Sequence, residues 1–269
     1  MAENDPKIIQ YKHHFRTHND EALHEPYDIQ NLWTLLGHNW LASTPIHLYL
    51  DIYFKNHLSS SKLIVQAVDP LLAEGWNPEC TTSIQHQQLQ GKSLEEQPRI
   101  FWLVCEKENH WFAILYYQHY ERFIILDTLL QEKHHYQSKL IQVAYILLKI
   151  YDCQELTRYI PTGTRVQHAP SGSRNPWHIK ISHSTCDQNI LNIAQTWTSF
   201  WHQTNSYDCG VYMLLAITWI HQHDLYEFIY EMLMAGVDNR QDLPPLNATM
   251  IHNMREHVFI VLRYTNVGK

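Results

Sequence analysis

The sequence predicts a mixed α+β fold whose strands are concentrated in the middle of the chain. Two patterns predict it. Between residues 99 and 127 the runs RIFWLVCEK (99–107), HWFAILYYQ (110–118) and ERFIILD (121–127) are dense in Ile, Phe, Trp, Val and Tyr and are parted by polar breaks. Short β-branched and aromatic runs of this kind are consecutive strands. On both sides lie segments of helical length, from Gln137 to Tyr151, from Gly210 to His221 and from Asn247 to Tyr264. The chain has 269 residues and 45% hydrophobic content, enough for a substantial core.

In chain order, residues 1–30 are polar and His-rich and read as an arm lying on the surface, ahead of one domain over 31–269. Leu36, Trp40, Leu41, Ile46, Tyr49, Leu50 and Tyr53 recur at roughly helical spacing, so a helix is expected over about Ser43 to Lys55. Thr44 before Pro45 suits its start, proline being favoured in a first turn. The three strands follow as a meander, then the helix from Gln137 to Tyr151. Pro161 to Asn175 (PTGTRVQHAPSGSRN) carries Pro, Gly and Ser and reads as an exposed loop within a loop-rich insertion around 153–185. WHIKISH (177–183) reads as a strand. Gly210 to His221 has the composition of a buried helix, and Asn247 to Tyr264 that of an amphipathic terminal one.

Composition excludes several classes of function. Twenty basic against 27 acidic residues give a net charge of −7, with no Lys/Arg run to track a phosphate backbone, so nucleic acid is not an expected partner. Apolar stretches such as Met213 to Ile217 fall far short of a membrane span. The start, MAENDPKIIQYKHH, lacks the basic and apolar regions of a signal peptide, and the chain reads as soluble and unprocessed. Cysteines at 80, 105, 153, 186 and 209 are odd in number and form no CxxC pair, which points to a reducing compartment, cytoplasmic or nuclear. The clusters His13/His14/His18, His134/His135 and His221/His223 read as solvated side chains, and no metal is expected.

Three sequence-distant pieces carry chemistry together: Asn109-His110-Trp111 at the head of a strand, Leu126-Asp127-Thr128 at the end of a later one, and QTNSYDCG (203–210) running into a helix. A thiol nucleophile needs a base within reach, a carboxylate to fix that base, and donors aimed at the developing oxyanion. If 110–118 and 121–127 pair as a hairpin, His110 and Asp127 fall at the same end of it. Cys209 precedes an apolar helical run, where unpaired N–H groups and the helix dipole favour negative charge. Gly210 leaves room for a substrate backbone, and the Gln203 amide supplies a further donor. Each residue alone has a plainer reading, as a buried thiol, a surface imidazole or a turn-forming carboxylate.

The combination resembles the ubiquitin-like-protein-specific proteases, the family of the sentrin (SUMO) proteases, related to the adenoviral protease. The matching residues are His110-Trp111, Asp127, and Gln203-Thr204-Asn205-Ser206-Tyr207-Asp208-Cys209-Gly210, with spacings of 17 from His110 to Asp127 and 6 from Gln203 to Cys209. Upstream, Asn39-Trp40-Leu41 with Ile46 and Tyr49 is similar to the family's W-L-N-D segment, so the likeness runs from about Leu36 to Phe228. It implies a papain-like, adenain-like peptidase fold with a central mixed sheet packed between helices. The implied catalytic residues are His110, Asp127, Cys209 and Gln203. The implied substrate-binding residues are Trp40, Trp111, Asp208 and Gly210, the two indoles walling a tunnel over the modifier's C-terminal Gly-Gly. A flat channel of that kind admits residues without side chains and little else.

The match departs in two places. Trp40-Leu41-Ala42-Ser43 lacks the family's Asn-Asp, whose acidic residue lies on the modifier-binding face, and the stretch between Asp127 and Gln203 is longer than in sentrin proteases. Divergent members of this clan, bacterial effectors delivered into host cells among them, often act on ubiquitin. The expected partners are therefore ubiquitin, slightly favoured, or a ubiquitin-like modifier such as SUMO or NEDD8, and no cofactor is expected. Two alternatives share parts of the pattern. A YopJ-type acetyltransferase of the same clan places Glu where Asp127 stands and needs basic ligand pockets, and a silent modifier-binding module would have no use for the intact set of four residues.

Overall fold

A computed structural model describes residues 34–35, 39–42, 45–46, 48–50, 52–53, 64–68, 99–107, 110–129, 131–168, 177–182, 189–198, 200–236 and 246–265. The expected N-terminal arm and part of the expected insertion lie outside these residues. The strands are β1 (Ile64–Val68), β2 (Arg99–Lys107), β3 (His110–Tyr117), β4 (Arg122–Leu126), β5 (Arg165–His168), β6 (Trp177–Lys180) and β7 (Ala194–Thr196). The long helices are α1 (Gln137–Tyr151), α2 (Cys209–Gln222), α3 (Tyr226–Met234) and α4 (Ala248–Thr265).

Five strands make a mixed sheet in the order β1-β2-β3-β4-β7. The expected meander is its centre: β2, β3 and β4 pair antiparallel, with Leu103 opposite Ile114 and Ala113 opposite Leu126. β1 runs parallel to β2 on one flank and β7 parallel to β4 on the other. All eight residues of β3 are buried, which is what a near-continuous apolar run becomes when both faces of a sheet are covered.

Alternation divides the buried side chains between two cores. Phe101, Leu103, Cys105, Phe112, Ile114, Tyr116, Phe123 and Ile125 join Leu140, Val143, Ala144, Leu147 and Tyr151 of α1. Those α1 positions recur every three or four residues and form one apolar stripe. On the other face Trp102, Val104, Trp111, Ala113, Leu115, Tyr117 and Leu126 pack with residues of α2, α3 and α4. A mixed sheet between helices is thus the architecture, as expected. α1 stops at Asp152, which takes the left-handed conformation at φ 56°, one that Asp tolerates better than most residues.

Helical residues 45–46, 48–50 and 52–53 fall inside the helix expected from Ser43 to Lys55, and the helices from 137, 209 and 248 match their expected spans within two residues. The loop expected over 161–175 is corrected in its first half. Arg165–His168 is a strand that pairs antiparallel with β6, because Val166 and Ile179 both find a place against the α1-side core. β1, β7 and α3 had no counterpart in the sequence reading. Among the described residues no helix is long and apolar enough to cross a membrane.

Candidate active site

The site lies at one end of the sheet, where β3 begins, β4 ends and α2 starts. Continuing the pairing of Ala113 with Leu126 sets Phe112 opposite the residue after β4, Asp127. His110, two residues before Phe112, then shares a face with Asp127 as its diagonal neighbour. The side chains meet: His110 Nε2 is 2.6 Å from Asp127 Oδ1, with His110 8% and Asp127 1% exposed. An ionised carboxylate only accepts, so Nε2–H donates and Nδ1 is left for the thiol.

Asp127 is held on all sides. Oδ1 also accepts the Leu129 N–H at 2.8 Å, and Oδ2 accepts the Tyr136 hydroxyl at 2.5 Å. Burial acts to raise this carboxyl, but the His110 ring, the Tyr136 hydroxyl and the Leu129 N–H outweigh it and hold the group below its usual range. At His110 burial opposes the charged ring, while hydrogen bonds with Asp127 and Cys209 prevail and push it up to about 9. The His110 ring is therefore held as an imidazolium beside the sulfur. Phe112 stacks on the His110 ring (6.4 Å between centroids), and Tyr136 meets Phe112 edge-on (5.3 Å).

Cys209 is the first residue of α2 and only 1% exposed. Its sulfur accepts the main-chain N–H of Trp111 at 3.3 Å. The Cys209 thiol thus sits on the α2 face of the sheet and the His–Asp pair on the α1 face, joined around the sheet's end. The first main-chain bond of the helix start runs from Tyr212 N to Asp208 O, so the Cys209 N–H lies ahead of the helical ladder, among the unpaired donors of a helix start. Gln203 stands nearby with its amide oxygen engaged. The Thr128 hydroxyl donates to Gln203 Oε1 at 2.8 Å, and Gln203 N–H reaches Thr128 O at 3.4 Å. The amide nitrogen is the end left to donate. His110 thus meets both Asp127 and Cys209, and among the described residues Gln203 is tied to this group only through Thr128, the neighbour of Asp127.

The residues read as substrate contacts are placed differently. The Asp208 carboxylate is turned inward, 5% exposed, with Oδ1 on Arg255 Nη2 at 2.6 Å and Oδ2 on Asn205 Nδ2 at 2.8 Å. Asn205 Oδ1 in turn accepts the N–H groups of Tyr207 and Asp208 at 3.1 and 3.0 Å. Asp208 therefore braces the loop ahead of Cys209 rather than facing outward. Gly210 offers a substrate no opening: a Cβ there would lie 3.1 Å from Leu41 Cβ, 3.2 Å from Trp111 Cδ1 and 3.3 Å from Ile46 Cδ1. The protein's own packing fills the space. Trp40 and Trp111 stack on each other with centroids 5.4 Å apart and planes 21° from parallel. A peptide between them would need about 7 Å, two contacts of ~3.5 Å each, so the expected tunnel is closed. Trp111 is pinned by its Nε1–H, which donates to Leu41 O at 2.7 Å.

Three contributors carried no assigned role in the sequence reading. Thr128 was visible beside Asp127, but its hydroxyl partner lies 75 residues on. Tyr136 begins no motif. Arg255, buried at 5%, donates to Thr34 O, Asn39 O and Tyr207 O as well as to Asp208, tying α4 to the segment that carries Trp40. A single Arg in an amphipathic helix gives no signal of this. Among the described residues no group of three or more His, Cys, Asp or Glu side chains converges as a metal site would require.

No protein-family model matches the chain, and no curated protein sequence matches it. Among solved structures the chain is similar to the C-terminal Ulp1 protease domain in complex with Smt3, the yeast orthologue of SUMO, at 11% identity over 88% of this chain and 83% of that one, with a TM-score of 0.49. It is also similar to the SUMO protease Ulp1 with its catalytic cysteine oxidised to a sulfinic acid, at 13% identity over 98% and 97% of the two chains and a TM-score of 0.49. A third similar structure is the Xanthomonas campestris effector protein XopD bound to ubiquitin, at 15% identity over 88% and 97%, with a TM-score of 0.45.

Proposed function

We propose that the chain is a cysteine peptidase that removes ubiquitin or a ubiquitin-like modifier from its conjugates after the modifier's C-terminal Gly-Gly. The observation that supports this most is the relay from Asp127 through His110 to Cys209, with the Trp111 N–H on the sulfur. In the first step Cys209 Sγ bonds to the carbonyl carbon of the last glycine. The oxyanion is met by the Cys209 N–H and Gln203 Nε2. As the C–N bond breaks, His110 gives its proton to the departing lysine amine, leaving a thioester. Water then adds to the thioester carbon while His110 takes its proton, and the sulfur departs with the bonding pair. These steps use side chains, main chain and water alone.

Ubiquitin is slightly favoured because Ala42-Ser43 stand where the sentrin proteases have Asn-Asp, which weakens the case for SUMO, and because the stretch between Asp127 and Gln203 is longer than theirs. Entry of a Gly-Gly tail between the indoles requires Trp40 to separate from Trp111. Asp208 and Gly210 serve the substrate indirectly, by fixing Cys209. The test is a panel of ubiquitin, SUMO and NEDD8 probes carrying a C-terminal thiol-reactive group, applied to the wild type and Cys209→Ala. Labelling of the wild type alone by one probe identifies nucleophile and modifier together; failure of all three sinks the proposal.

A further inference from the structure

Gln203 has two nearly isosteric ends of opposite polarity. Facing the cleft with nitrogen, it donates to an oxyanion; facing it with oxygen, it presents a lone pair and repels one. Its usefulness depends on which end is held back. The residue is half-buried, in a loop before α2 rather than in a strand or helix, so its main chain does not dictate the choice.

Thr128 does. Its hydroxyl donates to Gln203 Oε1 at 2.8 Å, and its carbonyl accepts the Gln203 N–H at 3.4 Å. Thr128 is itself only 3% exposed, and its turn is closed by the Leu129 N–H donating to Asp127 Oδ1 at 2.8 Å. One turn at the end of β4 therefore holds the carboxylate that orients the base and the hydroxyl that grips the amide. No described residue takes Gln203 Nε2, which stays available to a ligand.

We infer that Thr128 is a positioning residue that anchors the Gln203 amide by its oxygen and so leaves the nitrogen to complete the oxyanion site. The inference rests on the peptidase reading for its kinetic consequence, but the clamp itself can be read without any substrate. A β-branched residue without the hydroxyl keeps the shape and loses the anchor, whereas serine keeps the hydroxyl.

The experiment uses the full chain as wild type, Thr128→Val, Thr128→Ser, Gln203→Ala and the Thr128→Val/Gln203→Ala double variant. Hydrolysis is followed on C-terminal aminocoumarin derivatives of ubiquitin and SUMO, and Cys209 reactivity with iodoacetamide, whose reaction forms no oxyanion. Expected are an about tenfold lower kcat for Thr128→Val with KM unchanged within twofold, recovery in Thr128→Ser, an about hundredfold loss in Gln203→Ala, and no further loss in the double variant. Iodoacetamide should react alike with all of them. Wild-type kcat in Thr128→Val, or losses that multiply in the double variant, would overturn the inference. Should the wild type cleave neither derivative, the peptidase reading fails and the Gln203 side-chain amide decides this one alone. Its NMR order parameter should be that of a rigid group in the wild type and fall below about 0.6 in Thr128→Val; an unchanged value overturns it.

Discussion

Replacing Gly210 by alanine tests whether the start of α2 is seated as closely as the structure indicates. The added Cβ would approach Leu41 Cβ, Trp111 Cδ1 and Ile46 Cδ1 at 3.1, 3.2 and 3.3 Å, against an optimal carbon separation of about 3.5–4.0 Å. Two of the three neighbours resist moving. Leu41 Cβ is fixed to a backbone whose carbonyl holds the Trp111 indole at 2.7 Å, and the Trp111 N–H is in turn on Cys209 Sγ. Overpacking of this kind costs about 1–3 kcal/mol, while alanine recovers at most about 1 kcal/mol of helix propensity. The net loss should be about 1–2 kcal/mol, a fall in Tm of roughly 2–4 °C for a chain of this size. Relief must come from a shift of the helix start, which carries Cys209 away from His110. A displacement approaching 1 Å costs on the order of a hundredfold in rate, and the few tenths of an ångström needed here should cost about tenfold. Thermal unfolding and kcat/KM on the modifier identified by the probe panel measure both effects. A variant with unchanged or higher Tm and full activity would refute the claim that the protein fills this space.

Four further outcomes are expected. Arg255→Met should lower stability by about 3–5 kcal/mol in urea unfolding by stranding the buried Asp208 carboxylate; an unchanged midpoint would contradict the bracing role. Tyr136→Phe should cost about 2 kcal/mol, since it removes a donor from a buried charged oxygen, and a stability equal to wild type would mean that the bond contributes nothing. Asp127→Asn should reduce turnover by about 10²–10⁴-fold through the wrong His110 tautomer, with thermal unfolding used to separate this from loss of fold. The pH dependence follows from the shifts. His110 is raised from 6.5 to about 9, so its contribution to stability is complete below pH 6.5 and disappears as pH rises through about 9. Asp127 is lowered from 3.8, so its contribution is complete above that value and is lost as pH falls through the depressed one. The stability gap between wild type and His110→Gln should therefore narrow between pH 6.5 and 9; a gap that widens reverses the assignment.

What could be read in the sequence was local. β2, β3 and β4 announce themselves by composition, and α1 by a stripe of Leu140, Val143, Ala144 and Leu147. β1 (IVQAV) and β7 (AQT) do not, because each is short and is made a strand by a parallel neighbour far away in sequence. β5 was hidden inside a stretch of Pro, Gly and Ser, its four residues stabilised by a partner beyond that stretch. The same division runs through the site. His110 and Asp127 are linked by a hairpin, so their meeting was legible. The inward turn of Asp208 depends on Arg255, 47 residues on, and the crowding at Gly210 depends on Leu41 and Trp111. Neither follows from a motif, and both exchanged a contact with substrate for a contact with the protein.

Arg255 also sets an order in time. Its guanidinium reaches carbonyls 221 and 216 residues earlier in the chain, at Thr34 and Asn39, while its other contacts hold Asp208 beside the nucleophile. Contacts that close such large loops are expected to form late, since the entropy of closure is met before the contact repays it. A partly folded chain would then contain the meander and α1 but an unbraced Cys209 loop, and would be inert toward substrate. During refolding from urea, reaction with a modifier probe should lag behind recovery of secondary structure, and the lag should lengthen in Arg255→Lys. Simultaneous recovery of the two signals would show that the nucleophile is assembled with the sheet. On the proposed peptidase reading, the thiol would stay idle until α4 has docked.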